Sequence, residues 1–213
     1  MTYYQKSSYN KLNLDFEVTE WFTPSKTASE YNRQYQDESA NMPSDDILDE
    51  ALTHFDSAYD FLDYDLDNDG YIDSVWLIYN SPVDYQSNDS FYWAFTTQTE
   101  STTTFDSKKA SYYAFAGTDF ITPNQEAASY DVSDLTYDAH TYIHETGHLL
   151  GLDDYYDYDS EQGALGGLYG ADMMDYNIGD HGPINKMLLG WVDPCVVCLL
   201  YTSPSPRDPK TSR

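Results

Sequence analysis

The segment HETGHLLGLDDYY, residues 144–156, constrains this chain more than any other part of its sequence. His144 and His148 are four residues apart, so on an α-helix they lie about 40° apart around the axis and one turn along it. Both imidazoles can then bind one metal ion. Glu145 is rotated about 100° from His144, so its carboxylate can lie beside the ion without being a ligand. A carboxylate in that place can act as general base toward a metal-activated water.

The rest of the segment offers a third ligand. Catalytic zinc sites usually have three protein ligands and one open position, and the next positions along the helix lead away from the ion. Gly151 can adopt the left-handed conformation that ends a helix and turns the chain back. The turn predicts Asp154 as the third ligand, whereas the alternative, Asp153, is expected to point elsewhere. The predicted zinc ligands are therefore His144, His148 and Asp154.

The spacing His-Glu-x-x-His-x-x-Gly-x-x-Asp resembles that of the metzincin zinc peptidases, in the variant with aspartate as third ligand. Within that group the chain is similar to the immune inhibitor A-like secreted peptidases, over roughly residues 1–196. The resemblance implies that Met174, in GADMMDYN, forms the hydrophobic floor of the site. It also implies that Tyr176 hydrogen-bonds the tetrahedral intermediate, that GDHGPINKMLLGW is a closing helix, and that the protein is extracellular.

The resemblance implies a zinc metalloendopeptidase that hydrolyses peptide bonds in a protein or peptide substrate, with Glu145 as general base. Other interpretations keep the motif without the activity: an ordinary helix or structural zinc site, or a peptidase site that has decayed. A rival from another class is a non-catalytic, calcium-stabilised acidic binding module with such a decayed site. The intact Glu145 argues against decay, since an inactive site has little reason to keep its base.

A second metal-binding pattern lies in DLDNDGYID, residues 65–73. Carboxylates at alternate positions precede Gly70, which permits a sharp turn, and oxygen ligands at this spacing can wrap a calcium ion. The loop differs from an EF-hand because its twelfth position is Trp76 and no exiting helix is predicted. An acidic, solvated turn is the alternative. The predicted calcium ligands are the carboxylates of Asp65, Asp67, Asp69 and Asp73 and the carbonyl of Tyr71.

Charge narrows the choice of partners. The formal net charge is −27, and such a field repels nucleic acids and anionic membranes, so neither is expected as a partner. No apolar stretch is long enough to insert across a membrane. The amino-terminal residues have no signal-peptide pattern. Because the resemblance implies secretion, we expect Met1 to be an internal start or a fragment edge.

We expect one α/β (α+β) catalytic domain over residues 1–197, metzincin-like and truncated at both ends. The remaining residues, CLLYTSPSPRDPKTSR, have no periodicity, and they resemble the translation of a sequencing adapter. We therefore interpret residues 198–213 as a non-native, disordered tail. Cys198 lies in that tail, so the pairing of Cys195 and Cys198 as a CxxC motif is interpreted as accidental.

The expected architecture is a mixed twisted sheet with a backing helix, an active-site helix, and a small lower lobe carrying Met174 and the final helix. Apolar–polar alternation in LNLDFEVTEW predicts a half-buried strand, and residues 24–43 are expected to form a loop. Residues 43–55 are predicted to form the backing helix with Ser44 as its cap. The active-site helix is predicted from Ser133 to Leu150. Further strands are predicted in SVWLIYN, FYWAFTTQ and KKASYYAFAG, joined by an exposed turn in ESTTTFDS.

Removing calcium is expected to lower the melting temperature of the protein. The bound ion would neutralise crowded carboxylates in residues 65–73 and fix the strand that follows, so chelation would leave them repelling one another. Thermal denaturation with excess calcium or with a calcium-selective chelator measures the effect. An unchanged melting temperature would remove the calcium prediction.

Overall fold

The computed structural model describes residues 2–81, 91–121, 137–156, 167–168, 170–176 and 179–195. The helices are α1 (Tyr3–Ser7), α2 (Ala28–Tyr35), α3 (Pro43–Phe55), α4 (His140–Leu149), α5 (Met173–Tyr176) and α6 (Pro183–Leu188). The strands are β1 (Val75–Tyr79), β2 (Phe95–Gln98), β3 (Thr104–Phe105), β4 (Lys108–Lys109) and β5 (Tyr112–Gly117). Short 3₁₀ helices cover Phe61–Tyr64 and Thr118–Ile121. The protein is therefore of the mixed α/β class, as expected.

The chain divides into two compact units: the smaller contains residues 1–14 and 181–213, and the larger contains residues 15–180. Met174 belongs to the larger unit and α6 to the smaller one, so the two features predicted to share a lower lobe lie in different units. The predicted non-native tail, residues 198–213, lies outside the described residues. None of the described helices has the length and apolar composition needed to cross a membrane.

The main sheet of the larger unit has the strand order β1-β5-β2. β1 runs parallel to β5, with Leu77 opposite Phe115, whereas β2 runs antiparallel to β5, with Thr96 opposite Ala114. A mixed sheet was predicted and is confirmed. The strand predicted in SVWLIYN is confirmed as β1, and the other two predicted strands contain β2, β4 and β5. The predicted exposed turn, residues 100–107, is confirmed at residues 106–107, which link β3 to β4, but the segment also contains β3, whose Phe105 is buried.

The two faces of β5 carry side chains of different size because neighbouring residues of a strand point to opposite faces. Tyr113 and Phe115 belong to the main core, which contains Ile47, Leu48 and Leu52 of α3. Ala114 and Ala116 are fully buried on the other face, where Tyr142 of α4 packs against the cluster around Ala116. The alanines leave room for α4 to approach the sheet, so the larger unit has one helix on each side of β5.

The backing helix was predicted correctly over residues 43–55, but its cap was not. The stripe of apolar residues on α3 packs into the core. Asp45 and Asp46 lie in its first turn, where their negative charges interact favourably with the helix dipole. The N-cap is Met42. Ser44 lies inside the helix and is buried. Its hydroxyl forms a hydrogen bond of 2.6 Å with the hydroxyl of Tyr113 in β5, so it does not cap the helix.

Two predictions for the first 43 residues were wrong. Residues 12–21 pair with no strand among the described residues, and Phe16 and Val18 are 53% and 83% exposed. Alternation of apolar and polar residues indicates a strand with two different faces. The backbone N–H and C=O groups of a strand also need hydrogen bonds to a neighbouring strand, and the alternation does not show whether one is present. The predicted loop at 24–43 contains α2. The Glu30 carboxylate accepts a hydrogen bond from the Thr27 N–H at 2.8 Å, an N-terminal capping pattern.

Two predictions for the later helices also need correction. α4 begins at His140 and not at Ser133; residues 133–136 lie outside the described residues, and the three that follow precede the helix. The Asp138 N–H donates to the Ile121 carbonyl at 2.8 Å, while the Asp138 carboxylate accepts from the His140 N–H at 3.0 Å, so the chain bonds elsewhere before the helix starts. The closing helix is confirmed as α6, beginning at Pro183.

We expect Ala116→Leu to lower the free energy of unfolding by about 1–3 kcal/mol, the usual cost of overpacking a filled core. Ala116 is fully buried where α4 packs on the sheet, so a larger side chain must push the helix away. Ala40→Leu, at an exposed position, is the matched control and is expected to have little effect. Urea denaturation of the two variants makes the comparison, and equal stabilities would contradict the packing described for α4.

Candidate metal centre

The end of α4 and the turn after it place the third candidate ligand. Gly151 has φ +89°, its N–H donates to the His148 carbonyl at 2.8 Å, and the Leu152 N–H donates to the Gly147 carbonyl at 3.1 Å. These are the two bonds of a Schellman motif, which ends a helix with a left-handed residue. The chain therefore turns back directly after α4, and Asp154 comes to lie beside the two histidines.

Three side-chain atoms converge at this point. Asp154 Oδ1 lies 2.8 Å from His144 Nε2 and 3.2 Å from His148 Nε2, and the two Nε2 atoms are 3.1 Å apart. Ligand atoms around a tetrahedral ion with bonds of about 2.0–2.1 Å lie about 3.3 Å from one another. Asp153, in contrast, is exposed. The separations therefore fit a small ion held by His144, His148 and Asp154.

The outer nitrogen of each imidazole is hydrogen-bonded to a backbone carbonyl. His144 Nδ1 lies 3.1 Å from the Met173 carbonyl, and His148 Nδ1 lies 2.7 Å from the Leu152 carbonyl. A carbonyl only accepts, so Nδ1 must carry the proton in both rings. When the rings are neutral, the lone pair of each Nε2 points toward Asp154, which is the usual arrangement of metal-binding histidines.

Three acceptors within hydrogen-bonding distance of one another need a cation between them. The side chains of His144 and Asp154 are only 5% and 9% exposed, so water cannot screen them fully. Burial lowers the pKa of His148, but hydrogen bonds to Asp154 and Leu152 and the nearby carboxylates outweigh it, so the pKa is raised. The site thus attracts positive charge. A proton satisfies one pair of acceptors, whereas a divalent cation satisfies all three.

Glu145 lies beside this group and makes a different set of contacts. Its residue is 5% exposed, and its Oε2 accepts a hydrogen bond of 2.9 Å from the Thr96 hydroxyl of β2. Burial raises the pKa of Glu145, while the neighbouring histidines and the Thr96 hydrogen bond oppose that change. Burial therefore favours the protonated form of this carboxyl group more than water would.

The segment containing Met174 lies next to the site. Met174 is fully buried, and its carbonyl accepts a hydrogen bond from the Tyr155 N–H at 2.8 Å. The preceding residue, Met173, contacts a candidate ligand directly, because its carbonyl lies 3.1 Å from His144 Nδ1. Tyr176 is half-buried at the end of α5, and no hydrogen bond joins its hydroxyl to the described residues of the site.

The predicted calcium loop brings together part of its ligand set. Carboxylate oxygens of Asp65, Asp67 and Asp73 lie within 4.8 Å of one another, and Gly70 makes the expected sharp turn with φ +94°. Asp69 instead accepts a hydrogen bond of 2.8 Å from the Tyr71 N–H. Lys108 of β4 pairs with the fully buried Asp65 carboxylate and holds its pKa below the ordinary value.

The pKa of Asp73, the third carboxyl group of that cluster, is shifted in the opposite direction. Burial raises the pKa of Asp73, the Leu66 N–H opposes this, and the carboxylates of Asp67, Asp65 and Asp69 raise it further. Lys108 thus neutralises Asp65, and the two exposed members of this cluster, Asp67 and Asp73, continue to repel each other. This donor set of carboxylate oxygens fits calcium, with Lys108 as a competing cation at Asp65.

Sequence reasoning missed three groups of the metal centre. The carbonyls of Met173 and Leu152 orient the imidazoles, and any residue type supplies a carbonyl, so no sequence signal points to them. Thr96 is about 50 residues away from Glu145 and is one of many threonines in its region. Its position on β2, facing α4, could be found only once the sheet was known.

Comparisons with protein-family models, with curated proteins and with solved structures found no match for this chain. The chemistry of the site therefore has to be inferred from its own residues and from the resemblance of its motif.

Asp154→Ala is expected to reduce metal content strongly, because it removes the only carboxylate oxygen within 3.2 Å of both Nε2 atoms among the described residues. Asp153→Ala removes an exposed neighbouring carboxylate and is expected to leave metal content unchanged. Elemental mass spectrometry on protein purified without chelator measures both. Loss of metal in Asp153→Ala alone would show that the wrong aspartate is assigned as ligand.

Proposed function

We propose that the protein is a zinc-dependent endopeptidase of the metzincin type. The observation that supports it most directly is the convergence of His144 Nε2, His148 Nε2 and Asp154 Oδ1, with the carboxylate of Glu145 buried next to them. Two neutral imidazoles and one carboxylate would give a zinc site a net charge of about +1. Such a site favours a reaction in which negative charge develops on an oxygen.

In this proposal His144, His148 and Asp154 would hold a zinc ion, which would supply a Lewis acid for the scissile carbonyl and lower the pKa of a bound water. Glu145 takes the proton of that water and later delivers it to the leaving amine. The position of Glu145 supports this double role, because its carboxylate is buried beside the three candidate ligands and is held by the Thr96 hydroxyl. Tyr176 is proposed to stabilise the oxyanion by a hydrogen bond, and Met174 to support the site from below.

The proposed substrate is a protein or peptide, and β2 is the part of the chain proposed to bind it. β2 is an edge strand of the described sheet, and it carries the threonine that contacts Glu145. An extended peptide can add to such an edge through backbone hydrogen bonds. The negative net charge of the chain disfavours nucleic acids and anionic membranes as partners. Secretion is part of the same proposal.

A second, structural role is proposed for residues 65–73. The convergence of Asp65, Asp67 and Asp73 favours calcium binding, which would relieve repulsion between the two exposed carboxylates. A non-catalytic acidic binding module is the alternative function, and it shares this calcium loop with the peptidase proposal. The two functions differ in whether the metal centre turns over a substrate.

Glu145→Gln is expected to abolish peptide hydrolysis while leaving about one zinc per chain, because it removes the base and leaves the three ligands in place. The measurement pairs elemental analysis with hydrolysis of an unstructured protein substrate such as casein. A double His144→Ala, His148→Ala variant is the control that should lose both zinc and activity. Full activity in Glu145→Gln would reject the proposed mechanism, and a zinc-containing but inactive wild-type protein would favour the binding module.

A further inference from the structure

We propose that Thr96 is a positioning residue for the carboxylate of Glu145, an inference that rests on the proposed function. The Thr96 hydroxyl lies 2.9 Å from Glu145 Oε2 and 3.1 Å from the Glu145 backbone carbonyl. A hydroxyl has one proton, and these two acceptors share it. One side chain of β2 therefore holds both the main chain and the carboxylate of the same residue.

The register of the sheet explains why residue 96 makes this contact. Thr96 lies opposite Ala114, on the face of the sheet against which α4 packs. Its neighbour Phe95 points the other way, and its ring stacks on that of Phe115 with centroids 5.1 Å apart. A shift of β2 by one residue would exchange the two faces of the strand, turning Phe95 out of the core and the Thr96 hydroxyl away from Glu145. The packing of Phe95 in the core therefore fixes the hydroxyl beside the carboxylate.

The contact gives the two oxygens of Glu145 different roles. Oε2 is held by Thr96, so Oε1 remains as the oxygen that exchanges a proton with water and substrate. The side chain of a glutamate has three rotatable bonds, and fixing one oxygen restricts the carboxylate to orientations that face the metal ligands. Thr96 acts through Glu145 and does not itself touch the reacting atoms.

The first test measures kinetics in the full chain. Thr96→Val keeps the shape of the side chain and removes the hydroxyl, and we expect kcat to fall about tenfold or more, the usual effect of losing a hydrogen bond to a charged group. KM and zinc content are expected to stay within about twofold, because neither the substrate edge nor the ligands change. Thr96→Ser restores the hydroxyl and is expected to restore most of kcat.

Thr104→Val is the matched control, since it makes the same replacement on a strand outside the proposed site. Thr104 is an exposed residue of β3 and lies opposite Lys109 of β4, so kcat is expected to be unchanged. If Thr96→Val does not fold, Thr96→Ala replaces it, with the same expected loss of kcat. A purely structural role of Thr96 predicts that Thr96→Ser and Thr96→Val differ in stability and have the same kcat. That result would overturn the proposal.

The second test does not depend on activity. The loss of melting temperature caused by Thr96→Val is compared in the wild-type chain and in a Glu145→Ala chain, both free of zinc. We expect the loss to be at least halved in the second background, because the Oε2 acceptor is already gone. Equal losses of melting temperature in the two chains would show that the Thr96 hydroxyl is stabilising only through its hydrogen bond to the Glu145 backbone carbonyl. That result would overturn the proposal.

The two proposals can fail separately. If Glu145→Gln is inactive while Thr96→Val keeps full kcat, the peptidase mechanism stands and the positioning role is wrong. If Glu145→Gln remains active, the mechanism fails and the positioning role fails with it, whatever contact the melting temperatures show.

Discussion

The structure around the candidate metal centre depends on one unfavourable arrangement: three acceptor atoms, from His144, His148 and Asp154, face one another inside the protein. Left without a cation they repel, so the fold has to hold them in place. It does so with a Schellman turn, which returns the chain to α4, and with two backbone carbonyls that fix the ring orientations. Leu152 contributes to both the turn and the ring orientation, since its N–H closes the Schellman turn and its carbonyl accepts a hydrogen bond from His148 Nδ1. The ligand geometry is therefore built largely from backbone.

This arrangement also determines where the hydrophobic stabilisation lies. The buried face of α4 consists of Thr141, His144, Glu145, Thr146 and Gly147, which contribute little apolar area. The large buried side chains of the sheet, Tyr113 and Phe115, point to the other face, toward α3. Small alanines face α4 instead. The alternation of β5 thus separates a face that stabilises the larger unit from a face that positions the candidate site. The helix that carries the candidate ligands, α4, therefore depends on the stability of the α3 layer.

The parts of the fold that could be predicted from sequence are those with local causes. α3 has an apolar stripe and acidic residues in its first turn, β1 is a short apolar run, and Gly151 stands where the helix must end. Predictions failed where the cause is distant or is a backbone atom. The alternation in residues 12–21 could not tell whether a partner strand exists, and the hydroxyl of Ser44 bonds to a tyrosine far along the chain. α2 is different, because Thr27 and Glu30 form a capping signal that was in the sequence and was overlooked.

The acidic composition gives the two candidate metal sites a common physical basis. The chain has 37 acidic and 10 basic residues, so most carboxylates cannot have a basic partner from the chain itself. Where a carboxylate is buried, as at Asp65, the fold provides Lys108. Where carboxylates are crowded but exposed, as at Asp67 and Asp73, dissolved cations are the remaining source of positive charge. Asp154 is the case between these two, since it is buried and its partners are neutral imidazoles when each Nδ1 donates to a carbonyl. Because Asp154 is buried and its partners are neutral, a bound divalent cation would supply the positive charge that the chain itself does not.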